Sequence, residues 1–233
     1  MKTKLSIVVP VLYETEAINP LIEHVRKVGE GEDYEIIVVD GSPEKNTIDA
    51  IKDRDVIKKI SLTGRARQMN AGAAAARGEI LLFLHADTKL PQGGLKKIRE
   101  VLQDGMYVGG AFDLKLDTQR RSLRFIAWAA RIRVRFTEIP YGDQAIFLRK
   151  DYFNAIGYYR DIPIMEDVEL MVKIKRLGGK ICIIKDPVRS SPRKWLQEGI
   201  FYTTFRNHII RILYSLGVSP DRLVKLYYKD YNR

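Results

Sequence analysis

The chain has a single cysteine, Cys182, among 233 residues. One thiol cannot staple a fold. Its place inside the apolar run KICIIKD predicts a core residue, and a reducing compartment is expected. Histidine is nearly as scarce, at three. No C-x-x-C or H-E-x-x-H occurs, so a closed zinc site is excluded. No window holds eighteen uncharged apolar residues, which predicts no membrane-crossing helix. The opening LSIVVPVLY is too short for a signal-peptide core and is closed by Glu14, so a cytoplasmic location is expected. G-x-G-x-x-G, G-x-x-x-x-G-K-[ST] and G-x-S-x-G are all missing, which weakens dinucleotide, phosphate-loop and hydrolase readings. No segment is rich in Pro or Gly/Ser, and no internal repeat is present.

Hydrophobic residues make up 45% of the chain and charged residues 30%. That composition suits one packed domain, or one domain with a tail. The net charge of +11 is unevenly placed. Residues 1–118 hold 17 Lys and Arg against 18 Asp and Glu, a net of −1; residues 119–233 hold 23 against 11, a net of +12. The excess predicts an anionic partner for the second half.

The first half alternates in type. LSIVVPVLY, YEIIVVDGS, VIKKISL and EILLFLHAD are expected strands. Helices are expected over Ala17–Val28, Asn46–Lys52, ARQMNAGAAAAR and GGLKKIREVLQDG. This alternation argues for a mostly parallel α/β sheet flanked by helices. The second half adds an antiparallel or edge strand in VGGAFDLKLD, a strand in KICIIKD and a helix in MEDVELMVKIKRLG. Its tail from Lys194 is read as two helices broken at LGVSPDR, with Pro220 at the first helical position. In open parallel sheets ligands bind beyond the carboxyl ends of the strands. Glu14, Asp40 and the pair His85/Asp87 stand at three such ends. Asp143, Glu166 and Asp167 complete the set of candidate acids. One Asp can hold Mg²⁺ or Mn²⁺ when a diphosphate supplies further oxygens, and a His nitrogen suits Mn²⁺ better. A carboxylate over the reacting centre can act as general base.

The order VVPVLYETEAI, EIIVVDGSPE, ARQMNAGAAAARGEILLFLHADT and GDQAIFLRKDYFNAIGYYRDIPIMEDVELMVKIKRLG resembles family-2 glycosyltransferases of the GT-A fold, over nearly the whole chain. The resemblance implies a catalytic unit over 1–193, with 1–118 binding nucleotide and 119–193 facing the acceptor. A helical extension over 194–233 packs on it. It implies that Pro10, Glu14, Asp40 and Arg65 line the nucleotide site. His85 and Asp87 take the place of the family's D-x-D, with Asp87 holding a divalent metal, Mn or Mg, that bridges the donor diphosphate. Asp167, beside Glu166, is implied as the base of an inverting transfer. Asp143, Gln144, Arg193 and Trp195 fall on the acceptor side. The donor is expected to be a nucleotide-diphosphate sugar, UDP-linked by resemblance, with GDP open. Departures are visible. Tyr13 replaces an Asn, one Asp of Asp-Asp-Gly-Ser is lost, His85 replaces the first Asp of D-x-D, and PRKW is only partly similar to Q-x-x-R-W.

QRRSLRFIAWAARIRVRF, placed on a helix, gathers Arg120, Arg124, Arg131 and Arg135 within roughly 60°. Two readings of it stand level: a membrane-interface helix, or a buried helix with a solvated edge. For the tail helix around FYTTFRNHIIRILYSLG, core packing is favoured. The acceptor is expected to be lipid-linked or otherwise membrane-bound, with peripheral contact at the inner face of an anionic membrane. Nucleic acid is not expected as a partner. The competing readings are a nucleotidyltransferase, a catalytically silent sugar-nucleotide binder, and a basic membrane- or nucleic-acid-binding module.

Overall fold

The computed structural model describes residues 4–227. One sheet organises them. Its strands are β1 (Leu5–Val11), β2 (Tyr34–Asp40), β3 (Ile57–Ile60), β4 (Ile80–Phe83), β5 (Thr88–Lys89), β6 (Gly109–Leu116), β7 (Phe147–Arg149) and β8 (Ile181–Ser190). Their spatial order is β3-β2-β1-β4-β7-β6-β8-β5. β1 pairs in parallel with β2 and β4, and β2 with β3. β7 is antiparallel to both β4 and β6. β6 runs parallel to β8, and β5 is antiparallel to β8.

The helices are α1 (Thr15–Val28), α2 (Asn46–Asp49), α3 (Arg65–Ala75), α4 (Gly94–Gln103), α5 (Arg121–Thr137), α6 (Lys150–Ala155), α7 (Glu166–Arg176), α8 (Arg193–Glu198), α9 (Ile200–Ser215) and α10 (Pro220–Tyr227). A single 3-10 turn covers Gly142–Gln144. β1 is apolar on both faces because both are covered. Ile7 and Val9 join the cluster under α1 and α4, while Val8 joins the cluster under α3, α6 and α7. The Ala-rich α3 presses hard on the sheet at Gly72, where a Cβ would lie 2.3 Å from Val8 Cγ1.

The α/β expectation holds, and three details differ. β6 takes the antiparallel alternative in its pairing with β7 but is interior rather than an edge, because β8 covers its far side. β8 runs well beyond KICIIKD: the register slips between Phe112 and Asp113, Pro187 takes up the pairing, and the strand continues to Ser190. A proline is tolerated at such an irregularity. The tail holds three helices in its described part, since Gly199 (φ +96°) separates α8 from α9. Pro220 opens α10 as expected; the end of the tail, 228–233, lies outside the described residues.

β4 and β5 are separated by only four residues, yet stand four strand positions apart. Four spacings of about 4.8 Å come to about 19 Å, more than the roughly 18 Å that the chain can span from Phe83 to Thr88. A turn in the linker, Thr88 N–H to His85 C=O at 3.1 Å, shortens it further. The sheet therefore curls, and the His85–Asp87 turn lies inside the curl.

Two glycines permit the join between the halves. A Cβ on Gly110 would lie 2.2 Å from the Cys182 carbonyl oxygen and 2.6 Å from the Phe147 ring. Gly110→Ala is expected to lower unfolding stability by about 3 kcal/mol, since backbone has to move. Urea denaturation measures it; a change within error would show that the three strands separate easily.

Candidate active site

The site grows from strand ends. β4 ends at Phe83, whose N–H bonds the Ile146 carbonyl, and the next N–H, that of Leu84, bonds Val8. These bonds pin the chain on both sides just before His85. Beyond the turn, Ser191 N–H bonds the Asp87 carbonyl at 3.1 Å, which ties the start of the tail to the same place. Arg193 then reaches back to Glu14, Nη2 to Oε1 at 2.9 Å, across 179 positions of sequence.

On the other side of His85 lies the 3-10 turn. The Gly142 N–H donates to Asp167 Oδ2 at 2.7 Å. A Cβ on Gly142 would sit 2.9 Å from the His85 ring and 3.5 Å from Asp167 Oδ2. Only a glycine lets the histidine and the turn approach this closely. Asp167 Oδ1 accepts the Val168 N–H at 2.7 Å. Arg65, at the start of α3, donates to Glu166 Oε1 at 3.3 Å. Glu14, Arg193, Asp87, His85, Asp143, Asp167, Glu166 and Arg65 thus form one continuous constellation.

Its electrostatics follow first from burial and then from neighbouring charges. Burial, then the nearby Glu14, raises the Asp87 carboxyl above its ordinary value, and Arg193 opposes the rise. Burial, then Asp167, pushes Asp143 up to about 6. Its Oδ1 is buried without a hydrogen-bond partner. Burial raises Glu166 as well, against the pull of Arg65. Desolvation, then Arg65, takes His85 down to about 3. His85 is therefore a neutral imidazole at neutral pH, with a lone pair to offer.

Among the described residues no group of three or more His, Cys, Asp or Glu is placed to hold a metal ion. The donor set of one carboxylate and one neutral imidazole fits a divalent cation only when a ligand's oxygens complete the shell. The acidic surroundings that raise Asp87 favour such a cation.

Other expected residues lie apart from this constellation. Asp40 is fully buried. Its Oδ1 accepts Ser42 N–H and its Oδ2 accepts Thr47 and Ile48 N–H. It shapes the loop into α2. Pro10 sits within β1, in register with Val39. Gln144 is buried, donates to the Phe112 carbonyl and accepts from Tyr141 N–H. Trp195 packs beside Leu116, Leu123 and Ala127.

Four residues outside the expected set brace the site. The Arg133 guanidinium lies 3.6 Å from the Tyr141 ring centroid and donates to the Ile139 carbonyl. Arg211 of α9 donates to the Tyr141 hydroxyl at 2.8 Å. Tyr141 directly precedes the Gly142 turn. Aromatic–arginine pairs carry no short-range sequence signal; the aromatic beside GDQ was the one visible hint. Met165 holds φ at +70° just before Glu166. That strained conformation is buried under Ile210 and Leu223 of the tail.

Comparison with solved structures defines the class. The fold is that of GT-A glycosyltransferases. Residues 1–349 of S. aureus TarS align with TM-score 0.61 at 16% identity, covering 96% of this chain and 69% of that one. A mannosyltransferase from Pyrobaculum calidifontis, solved with GDP-Man and Mn²⁺, aligns with TM-score 0.62 at 19% identity, covering 82% and 57%. TarS 1–349 solved with UDP-GlcNAc aligns with TM-score 0.61 at 18% identity, covering 81% and 58%. The sequence itself is matched by the family model Glycosyl transferase family 2 over residues 6–157, and the chain belongs to that family. An uncharacterized glycosyltransferase of Nostoc sp. (strain PCC 7120) is 35% identical over 104 residues, 42% of this chain; the match spans 31% of the relative's own length.

The Asp143 shift has a sign. With its folded value raised from 3.8 to about 6, the folded chain holds this proton more tightly than the unfolded one. That stabilisation is full below about pH 4 and lost as pH rises through about 6. Asp143→Asn is therefore expected to melt higher than the parent at pH 8, with the gap closing towards pH 4. Calorimetric melting across that range checks it; a gap independent of pH would remove the assignment.

Proposed function

We propose that this chain transfers a sugar from a nucleotide-diphosphate sugar, UDP-linked, to an acceptor hydroxyl, with inversion at the anomeric carbon. One observation carries the reading. The Gly142 turn stands against both the His85 ring and Asp167, whose Oδ2 accepts its N–H, at the carboxyl ends of the strands. The family membership supports it, as do the donors named in the two neighbouring complexes, UDP-GlcNAc and GDP-Man with Mn²⁺.

In this reading Glu14 and Arg65 flank the nucleotide, with Pro10 and the Asp40 loop forming its floor. Asp87 and His85 would hold a divalent metal, which supplies positive charge to the leaving diphosphate. Arg193 stands beside Asp87 and adds charge of the same sign. Asp167 takes the proton of the acceptor hydroxyl. The new oxygen–carbon bond forms on the face opposite the leaving group, and the departing bond's electrons go to the diphosphate. Glu166, fixed by Arg65, orients α7 so that Asp167 faces the acceptor. Residues 1–193 act as the catalytic unit and 194–233 as an extension packed on it; the cluster of Met165, Ile210 and Leu223 supports that division. The acceptor is lipid-linked, reached at the inner face of a membrane.

A donor-binding protein without turnover is the second reading, favoured by the two-residue metal set. Asp167→Asn is expected to abolish transfer while donor affinity stays within about twofold, because a base acts on the acceptor rather than on donor binding. Equal loss of both would sink the base assignment. Titration calorimetry with UDP and with GDP, each with and without Mn²⁺, is expected to give metal-dependent binding of UDP. Metal-independent binding would remove Asp87 and His85 from the metal role.

A further inference from the structure

α9 carries an apolar stripe on the face that the protein leaves bare. Thr203, Arg206 and Ile210 turn into the protein. Phe201, Phe205, Ile209, Ile212 and Leu216 turn out to solvent, with Phe201 89% exposed. At 100° per residue these five fall within about 80° of one another, along about 22 Å of helix. α5 repeats the pattern: Phe125, Trp128 and Phe136 are exposed, Phe136 by 84%, and share one face with the half-buried Ile132. The helices meet where Leu123, Ile126 and Ala127 pack against Trp195 and Ile200, so the two stripes begin on adjoining residues. Among the described residues both stripes are left uncovered, and contiguous exposed apolar patches mark interaction sites.

Charge selects what covers them. Neither Arg121–Thr137 nor Ile200–Ser215 contains an acidic residue. Arg121 and Arg124 are exposed beside the α5 stripe. Arg124 also lines an open cavity of about 580 Å³ whose other charged residues are Lys115, Arg189 and one acid, Asp117. Two copies meeting on this face would place arginine against arginine. A surface of phosphate headgroups over acyl chains satisfies both the cations and the aromatics.

We infer that the outward faces of α5 and α9 form one docking surface for an anionic bilayer, with Phe125, Trp128, Phe136, Phe201 and Phe205 entering the headgroup boundary. The surface connects to the candidate site within the tail. α8 begins at Arg193, on Glu14, and passes into α9 through Gly199. Arg211 of α9 braces Tyr141 beside the Gly142 turn. Docking therefore sets the site at the bilayer surface, where a lipid-linked acceptor is reached; this last step rests on the transferase reading, the docking does not.

The test is cosedimentation of the full chain with vesicles of phosphatidylglycerol and phosphatidylcholine in equal parts, and of phosphatidylcholine alone. Binding to the anionic vesicles is expected at low salt, weaker at physiological salt. Binding to phosphatidylcholine alone is expected to be much weaker. Phe201→Ser with Phe205→Ser is expected to weaken binding more than about tenfold. Arg121→Ala with Arg124→Ala is expected to weaken it about fivefold per charge. All of these residues are exposed, and unchanged melting confirms that the variants fold. No binding at low salt overturns the inference, as does binding that survives both pairs of changes. A parent chain that sediments as a dimer and is made monomeric by the Phe pair overturns it in favour of self-association. UDP calorimetry on the same samples separates the failures. Donor binding without vesicle binding removes only the docking surface, and vesicle binding without donor binding removes only the transferase reading.

Discussion

The structure depends on the close approach of β7 to its neighbours at Gly109 and Gly110. β7 is three residues long, and it alone joins the parallel half, β1 to β4, to the half built on β6 and β8. A Cβ on Gly109 would lie 2.4 Å from the Phe147 carbonyl oxygen, and one on Gly110 would strike Cys182. Close packing there lets the sheet continue and curl, so that β5 returns beside β8. The curl brings Asp87 to Ser191 and hence to Arg193. The same short strand follows the Gly142 turn, so its position also decides where His85 meets Asp167.

Buried charge organises the second half. Asp113 is fully buried on β6, and both Arg131 and Arg135 of α5 pair with its Oδ2, at 3.1 and 2.7 Å. A buried carboxylate without such partners would be costly. Two of the four arginines on the expected basic stripe thus pair with a buried carboxylate of the fold. Arg120, Arg121 and Arg124 at the start of α5 are exposed. They stand where the exposed aromatics begin.

The tail braces the site. α9 and α10 cover Met165 and hold the left-handed turn that starts α7. Arg211 fixes Tyr141, and Arg193 bridges to Glu14. Core packing was the favoured expectation for α9, and Ile210 and Arg206 do pack inward. The same helix also shows an apolar face to solvent, because its apolar stripe of Phe201, Phe205, Ile209 and Ile212 lies opposite the side that the protein covers. Tyr13 has a comparable explanation. It stands where the family has Asn and holds φ at +58°, a conformation that Asn adopts more readily than Tyr.

Much of the fold was legible from local pattern. Continuous apolar runs such as SIVVPV and ILLFL mark strands covered on both faces. The spacing of Ile18, Leu21, Ile22 and Val25 marks a helix on such a sheet. Strand-end acids could be picked out because open parallel sheets bind ligands at their carboxyl ends, and the order of motifs pointed to the family. The sequence by itself therefore determined the alternating α/β framework, the family and the candidate acids, since each rests on contacts or preferences close along the chain. Only the tertiary structure decided that β6 is interior, that Asp40 turns inward to cap a loop while Glu14 turns outward to Arg193, that Arg131 and Arg135 are spent on Asp113, and which face of α9 is left bare. These outcomes are settled by partners many tens of residues away, through packing and desolvation that no local pattern encodes.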